Sequence, residues 1–322
     1  TLALTGSLTG TEVNVASGAA LTTTGGLADA TDLTLTGTAS ATFTAAETLD
    51  TLNGAGTMVV TDLTVTTVTS SATINSSGLV TISDGAFSGD LVTGALTKVT
   101  AGTLTLSGTN ATPGPITVDG GTLVLAYATN TLADNATLTA NAGTTVDIQA
   151  NTDTVAAFTS NGATFAGTGT LTAATYALND GSTVNANLGN GALTANGTVA
   201  INGNTGTGSF VVQTGTTTLA GASSAATVQI DTAGTLVTTA TGTLDDTATV
   251  TLDGAGVLTL GQSDTVGRLA GTGGTVNLGT TTLTLSDGQG ASSAAVITGT
   301  GGLTLTTGTQ TLSGASTYTG AT

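Results

Sequence analysis

The sequence predicts an all-β fold, a right-handed parallel β-helix (β-solenoid) of roughly 22 residues per rung, drawn out as an elongated rod. Three observations carry this expectation. Short runs alternate apolar residues with Thr, the period-two signature of a strand with one face inward. Gly and Asn-Gly pairs break the chain about every ten residues, leaving no room for a helical period. One strand–turn–strand unit also recurs along the chain, which separates a solenoid from a sandwich or barrel.

The clearest unit is 96–125, LTKVTAGTLTLSGTNATPGPITVDGGTLVL. Leu104 and Leu106 share one face of a strand, and Ile116 with Val118 repeat this on a second. Asp119-Gly120-Gly121 turns the chain, and Leu123 with Leu125 make a third strand. Segments beginning at Ala136, Ala226 and Ala248 repeat the pattern with inward pairs Leu138/Ala140, Val228/Ile230 and Val250/Leu252. Each is followed by Asp or Asn and then Gly, the residues that build tight turns. Ile116 to Leu138 and Val228 to Val250 are each 22-residue steps. Asn53-Gly54, Asn161-Gly162, Asn190-Gly191, Asn196-Gly197 and Asn202-Gly203 mark further turns. About 14 or 15 rungs at ~4.8 Å would span about 70 Å, with right-handed crossovers and Asn or Thr ladders along the stack.

A longer duplication overlies the rungs. ETLDTLNGAGTMVV from Glu47 matches DTVGRLAGTGGTVNL from Asp264, with Gly54 and Gly56 against Gly271 and Gly273. GALTKVTAGTLTLSG, ending at Gly108, matches GGLTLTTGTQTLSG, ending at Gly314. The expected organisation is one continuous solenoid over 1–322, with module copies near 45–125 and 262–322. The chain is expected to be a processed form or a window of a longer or polymerising protein.

Composition narrows function further. The net charge is −17, with 19 acids against Lys98 and Arg268, and there is no His, Cys or Trp among 322 residues. So few cations cannot neutralise a phosphate backbone or an anionic membrane surface, which argues against nucleic acid and against membrane association. Charged residues are 7%, too few for a typical disordered chain, and no apolar run is long enough for a membrane-spanning helix. With aromatics at 2%, the core is expected to be Leu, Val, Ile, Ala and Thr methyl groups.

LTKVTAGTLTLSG…ITVDGGTLVL and GLTLTTGTQTLSGASTYTGAT resemble the passenger-associated β-helix repeat of bacterial autotransporters and large surface adhesins. DTVGRLAGTGGTVNLGTTTLTL is similar to a block that precedes it in that family. The resemblance covers about a third of the chain, residues 45–64, 94–125 and 262–322. It implies a right-handed β-helix exported by a C-terminal β-barrel, and no barrel segment lies within this sequence. It also implies an extracellular location at the outer cell surface.

No residue is assigned a catalytic, cofactor-binding or metal-binding role. Without His or Cys, Ser-His-Asp, Cys-His and His-based zinc chemistry are excluded. Asp245-Asp246, and Asp231 one rung from Asp253, are the candidates for a polysaccharide-cleaving acid–base pair. The lack of Trp and of bases to hold a sugar acid favours their reading as turn formers. Gly120-Gly121 and Gly273-Gly274 lack the Gly-x-Asp that continues a calcium-binding β-roll. Gly167-Thr168-Gly169 is not followed by the Lys-Ser/Thr of a phosphate loop. Asn75, Asn110, Asn135 and Asn196 begin N-x-S/T sequons that a Thr-rich chain generates by chance. Thr34-Leu35-Thr36 and Thr280-Thr281-Thr282 raise an ice-binding array, which needs the pair on one flat face of every rung.

The expected role is therefore a non-catalytic extracellular solenoid: an adhesin stalk, cell-surface layer or filament subunit. Its partners are other copies stacked end to end or laterally, or a host or neighbouring cell surface, and no cofactor is implied. The alternatives are a carbohydrate-binding or polysaccharide-processing passenger and a Thr-rich ice-binding solenoid.

Overall fold

A computed structural model describes the chain apart from residues 5, 111 and 113 and the side chain of residue 4. Among the described residues there is no helix, and parallel strands stack as a β-solenoid of about 16 turns, averaging about 19 residues each. The chain divides into two compact units, Thr1–Phe158 and Thr159–Thr322.

In the first unit, one face stacks Leu2–Leu4, Ala20–Thr23, Ser40–Phe43, Thr57–Val60, Thr73–Ser76 and Leu91–Val92 in chain order. A second stack runs through Glu12–Val15, Thr31–Leu35, Glu47–Gly54, Leu63–Ser70 and Leu79–Phe87. Leu79–Phe87 then serves two strands of the next coil. Its first half pairs with Ala95–Lys98 and its second half with Thr103–Leu106. The bend falls at Asp84-Gly85, where Gly85 has φ of 115°. In the second unit, Ser209–Leu219 lies along Thr227–Thr238 as the longest pairing, with one irregularity between Val212 and Thr214.

The two 22-residue steps are coil-to-coil neighbours: Ile116 pairs with Leu138, and Val228 with Val250. They are long coils, however, and extending them to the whole chain overestimated the rung. Leu52 to Val68 closes in 16 residues, whereas Leu123 to Val146 takes 23. Coil length varies because only the strands are bound by the ladder, while turns between them lengthen or shorten freely.

All eight residues read as inward pairs, from Ile116 to Leu252, are buried. The core is less purely aliphatic than composition suggests. All five Phe residues are buried, from Phe43 to Phe210, and so is Tyr176. The Tyr176 hydroxyl accepts from Ala173 N (2.7 Å) and donates to Leu171 O (2.9 Å), so the ring enters the core without an unpaired oxygen. Burial pushes its pKa up to about 12.

The expected ladders are present. Asn179 Nδ2 donates to Asn161 Oδ1 at 2.7 Å, Asn196 Nδ2 approaches Asn179 Oδ1 at 3.5 Å, and Asn202 Nδ2 donates to Asn185 Oδ1 at 2.8 Å. In these coils the side-chain amide of one rung bonds that of the next, so side chains reinforce the stacking that the backbone begins.

Candidate functional site

The polar chemistry of this solenoid concentrates where side chains turn into the coil. Glu47, Asp153 and Asp264 are buried carboxylates, only 3%, 4% and 7% exposed. Each accepts the backbone N–H of a Leu about one turn earlier. Leu27 N donates to both oxygens of Glu47 (3.0 and 3.1 Å), Leu132 N to Asp153 Oδ2 (3.1 Å), and Leu244 N to Asp264 Oδ2 (2.9 Å). Asp153 and Asp264 also accept from the N–H of the next residue, Thr154 and Thr265. Two residues beyond each capped Leu stands a second acid: Asp29, Asp134 and Asp246.

Burial and this neighbouring negative charge both disfavour ionisation, and the donated N–H groups only partly offset them. The pKa of Glu47 is pushed up to about 7, and those of Asp153 and Asp264 to about 6. Glu47 and Asp264 are the residues that open the two matching blocks in the sequence, and the fold gives them the same job. Asp153 is a third copy that sequence reading missed. Its signal was present: Leu-x-Asp at Leu132, then Asp-Thr-Val at Asp153, parallel to Leu244-x-Asp and Asp264-Thr-Val.

A pH dependence follows. The folded chain holds more protons than the unfolded chain between about pH 4 and pH 7, so stability falls as pH rises through that window. The contribution is complete below about pH 4 and lost above about pH 7. Discharging surface acids also relieves self-repulsion on acidification, so the informative quantity is a difference. The melting temperature of the wild-type chain is expected to drop more steeply from pH 5 to pH 8 than that of Glu47→Gln/Asp153→Asn/Asp264→Asn. Equal slopes would show that the three acids do not titrate as their burial requires.

Lys98 is the other inward-turned charge. It pairs with Ile82 on one side and Val118 on the other, an inward column position, and is fully buried. Its ammonium donates to the carbonyls of Val99 (2.5 Å), Thr100 (2.9 Å) and Gly120 (3.1 Å), the last one coil further on. The aliphatic stem fills a core position while the amine caps carbonyls at the corner. Burial lowers its pKa, and the Asp84 carboxylate opposes that shift.

Of the acids singled out as catalytic candidates, Asp245 caps a local turn, Asp253 bonds to the next coil, and Asp231 lies within strand Thr227–Thr238. Asp245 Oδ1 accepts from Thr247 N (2.8 Å) and its hydroxyl. Asp253 Oδ1 accepts from Thr272 N (3.4 Å) and Oγ1 (3.1 Å), and Asp231 Oδ1 accepts from Gln229 Nε2 (2.7 Å). Asp231 and Asp253 do lie on adjacent coils, since Ile230 pairs with Leu252. Among the described residues no three His, Cys, Asp or Glu converge as a metal site. Gly167-Thr168-Gly169 joins strands Thr164–Ala166 and Thr170–Leu178, with no helix following. Of the sequon residues, Asn110 is buried and its middle residue, 111, lies outside the described residues. Asn196 is in the Asn ladder, Asn75 is half-buried on Thr73–Ser76, and Asn135 is exposed.

The longest register-true threonine file on the first unit is Thr48, Thr64, Thr81, Thr97, Thr117 and Thr139, on successive coils, and a shorter one is Thr103, Thr122 and Thr145. The residues two positions beyond the longer file are Asp50, Thr66, Ser83, Val99, Asp119 and Asn141, so no second Thr file runs beside it on the same strands.

Compared with protein-family models, curated proteins and solved structures, the chain matches none. The fold stands on its own geometry.

Proposed function

We propose that this chain is a structural β-solenoid segment of an extracellular surface protein, acting as an adhesin stalk, surface layer or filament subunit. The observation that carries this reading is where the polar groups are used. Glu47, Asp153, Asp264, Lys98 and the Asn ladder all bond from one coil to the next, serving cohesion of the stack. Strong acidity keeps such a surface soluble and disfavours anionic partners. The repeat resemblance adds a bacterial, autotransporter-like setting, in which the segment projects from the outer cell surface.

Stacking would supply the partner. Each coil presents its backbone N–H and C=O groups along the stack, so a second copy would add to it as one more set of coils. Negative-stain microscopy across a concentration series tests self-stacking: particle length is expected to grow with concentration. A single length at all concentrations would remove self-stacking and leave host or neighbouring surfaces as the partner.

A further inference from the structure

Asn53-Gly54 lies in the first unit, and Asn161-Gly162, Asn190-Gly191, Asn196-Gly197 and Asn202-Gly203 lie in the second. Asparagine is a chemically labile residue. The backbone nitrogen that follows it can close a five-membered ring on the side-chain carbonyl, and a following Gly sets no side chain against that closure. The reaction needs a free N–H, an amide nitrogen able to leave, and a carbonyl oxygen stabilised as it gains charge. Residue type makes the five pairs equal, and the coils make them unequal.

Four pairs are held. Gly54 lies within strand Glu47–Gly54, paired with Leu35 on one side and Ser70 on the other, and Asn53 Nδ2 donates to Thr51 Oγ1 (3.2 Å). Gly162 N donates to Ser182 Oγ (3.2 Å). Gly197 N donates to Thr214 O (3.0 Å), and Gly203 N to Val184 O (3.2 Å). Asn202 also commits its amide nitrogen to Asn185 Oδ1 (2.8 Å).

Asn190-Gly191 differs in each respect. The pair lies in the turn between strands Asn187–Leu188 and Ala192–Asn196, and Asn190 is exposed. Among the described residues neither Gly191 N nor Asn190 Nδ2 has a hydrogen-bond partner. Asn190 Oδ1 accepts from Thr207 N on the following coil (3.1 Å). That N–H polarises the side-chain carbonyl and faces the oxygen on which negative charge develops when a nitrogen adds to Cγ.

We propose that Asn190 is a self-modification site, converting without an enzyme to aspartate and isoaspartate while the other Asn-Gly pairs keep their amides. Gly191 N gives its proton to solvent base and bonds to Asn190 Cγ. The Cγ–Nδ2 bond breaks, and that nitrogen departs as ammonia. Water then opens the ring: at Cγ it gives aspartate, and at the main-chain carbonyl of residue 190 it gives isoaspartate, with one extra carbon in the backbone. Either product adds one negative charge to the net −17. The extra carbon falls where coils approach closely. A Cβ on Gly191 would stand 2.0 Å from Ala173 O, and one on Gly208 would stand 1.6 Å from Gly191 O. A lengthened backbone there has to push the neighbouring coils apart, so the stack ages at one defined corner. The site is independent of the scaffold reading, and failure of either leaves the other standing.

Incubation of the intact chain at mildly alkaline pH in heavy-oxygen water, followed by pepsin digestion and peptide mass spectrometry, tests it. Each ring opened during incubation carries one heavy oxygen into its product. In the folded chain Asn190 is expected to convert at least about tenfold faster than each of the other four, the rate equivalent of one hydrogen bond that must first break. In guanidinium chloride the five rates are expected to converge. Asn190→Gln, which keeps the amide but cannot form the five-membered ring, is expected to remove most of the ammonia that the folded chain releases. An equal or faster rate at any other Asn-Gly pair of the folded chain would overturn the proposal. So would an unchanged lead for Asn190 in the denatured chain, which would assign it to local sequence, or undiminished ammonia release from Asn190→Gln.

Discussion

Lys98→Ala is expected to destabilise the first unit by about 3 kcal/mol, within the range for deleting a buried side chain together with its hydrogen bonds. Two losses combine. The stem fills a column position between Ile82 and Val118, so truncation leaves a cavity in that column. The ammonium also serves three carbonyls, two at the Val99-Thr100 corner and one on the next coil at Gly120. Lys98→Met separates these terms, because it keeps most of the stem and removes the donors. It is expected to lose about 1–2 kcal/mol, the scale of leaving buried acceptors unmade. Urea unfolding, with amide exchange read at 96–125, measures both. If Lys98→Met matched or exceeded the wild type, the carbonyl cage would contribute nothing net, and desolvation of the amine would have cancelled it.

Gly54→Ala is expected to be at least as damaging. The backbone there has φ of 85°, and a Cβ would stand 2.0 Å from the carbonyl oxygen of Leu35 on the preceding coil. That oxygen accepts the Ala55 N–H at 2.8 Å, so it cannot retreat without breaking the ladder. Gly271 repeats the collision with Leu252 O, also at 2.0 Å. Gly143→Ala supplies the comparison, because φ is 76° but nothing lies within 4 Å. It carries the positive-φ strain alone, about 1 kcal/mol. A loss of about 3 kcal/mol or more at Gly54, or failure to accumulate folded protein, is expected against that smaller loss. Equal effects at the two positions would mean that coils separate readily enough to admit a methyl group. That would contradict a tightly stacked tube.

The module match between the two ends of the chain looks different once the coils are placed. Glu47 and Asp264 are equivalent, and so are Gly54 and Gly271. The second glycine pair is offset by one residue. Thr57 N bonds Ala39 O and Thr275 N bonds Gly256 O, which puts Gly56 in correspondence with Gly274, where Gly273 was expected. The extra residue sits in a turn, where the ladder imposes no register.

Fold class was legible because each strand carries its own evidence. Alternation at Ile116/Val118 or Val250/Leu252 is a local property, and Asx-Gly turns are local too. Coil length was only partly legible, since the two matching segments used to measure it belonged to long coils. The candidate sites were hardly legible at all. The sequence offers Lys98 only as one of two cations, yet the pairing of Ile82 with Lys98 and Lys98 with Val118 makes it a core residue. Asp153 was not singled out in the sequence, yet Leu132, 21 residues earlier, makes it a buried cap.

By itself the sequence determined the period-two strands, their turns, the stacking of repeats and the exclusion of His- and Cys-based chemistry. These depend on residue types and on spacing within one coil. Only the tertiary structure decided which polar side chains face inward and which acids stand next to one another. Those outcomes depend on register between coils. Turns of variable length set that register, and its energy resides in contacts between residues 16 to 23 positions apart.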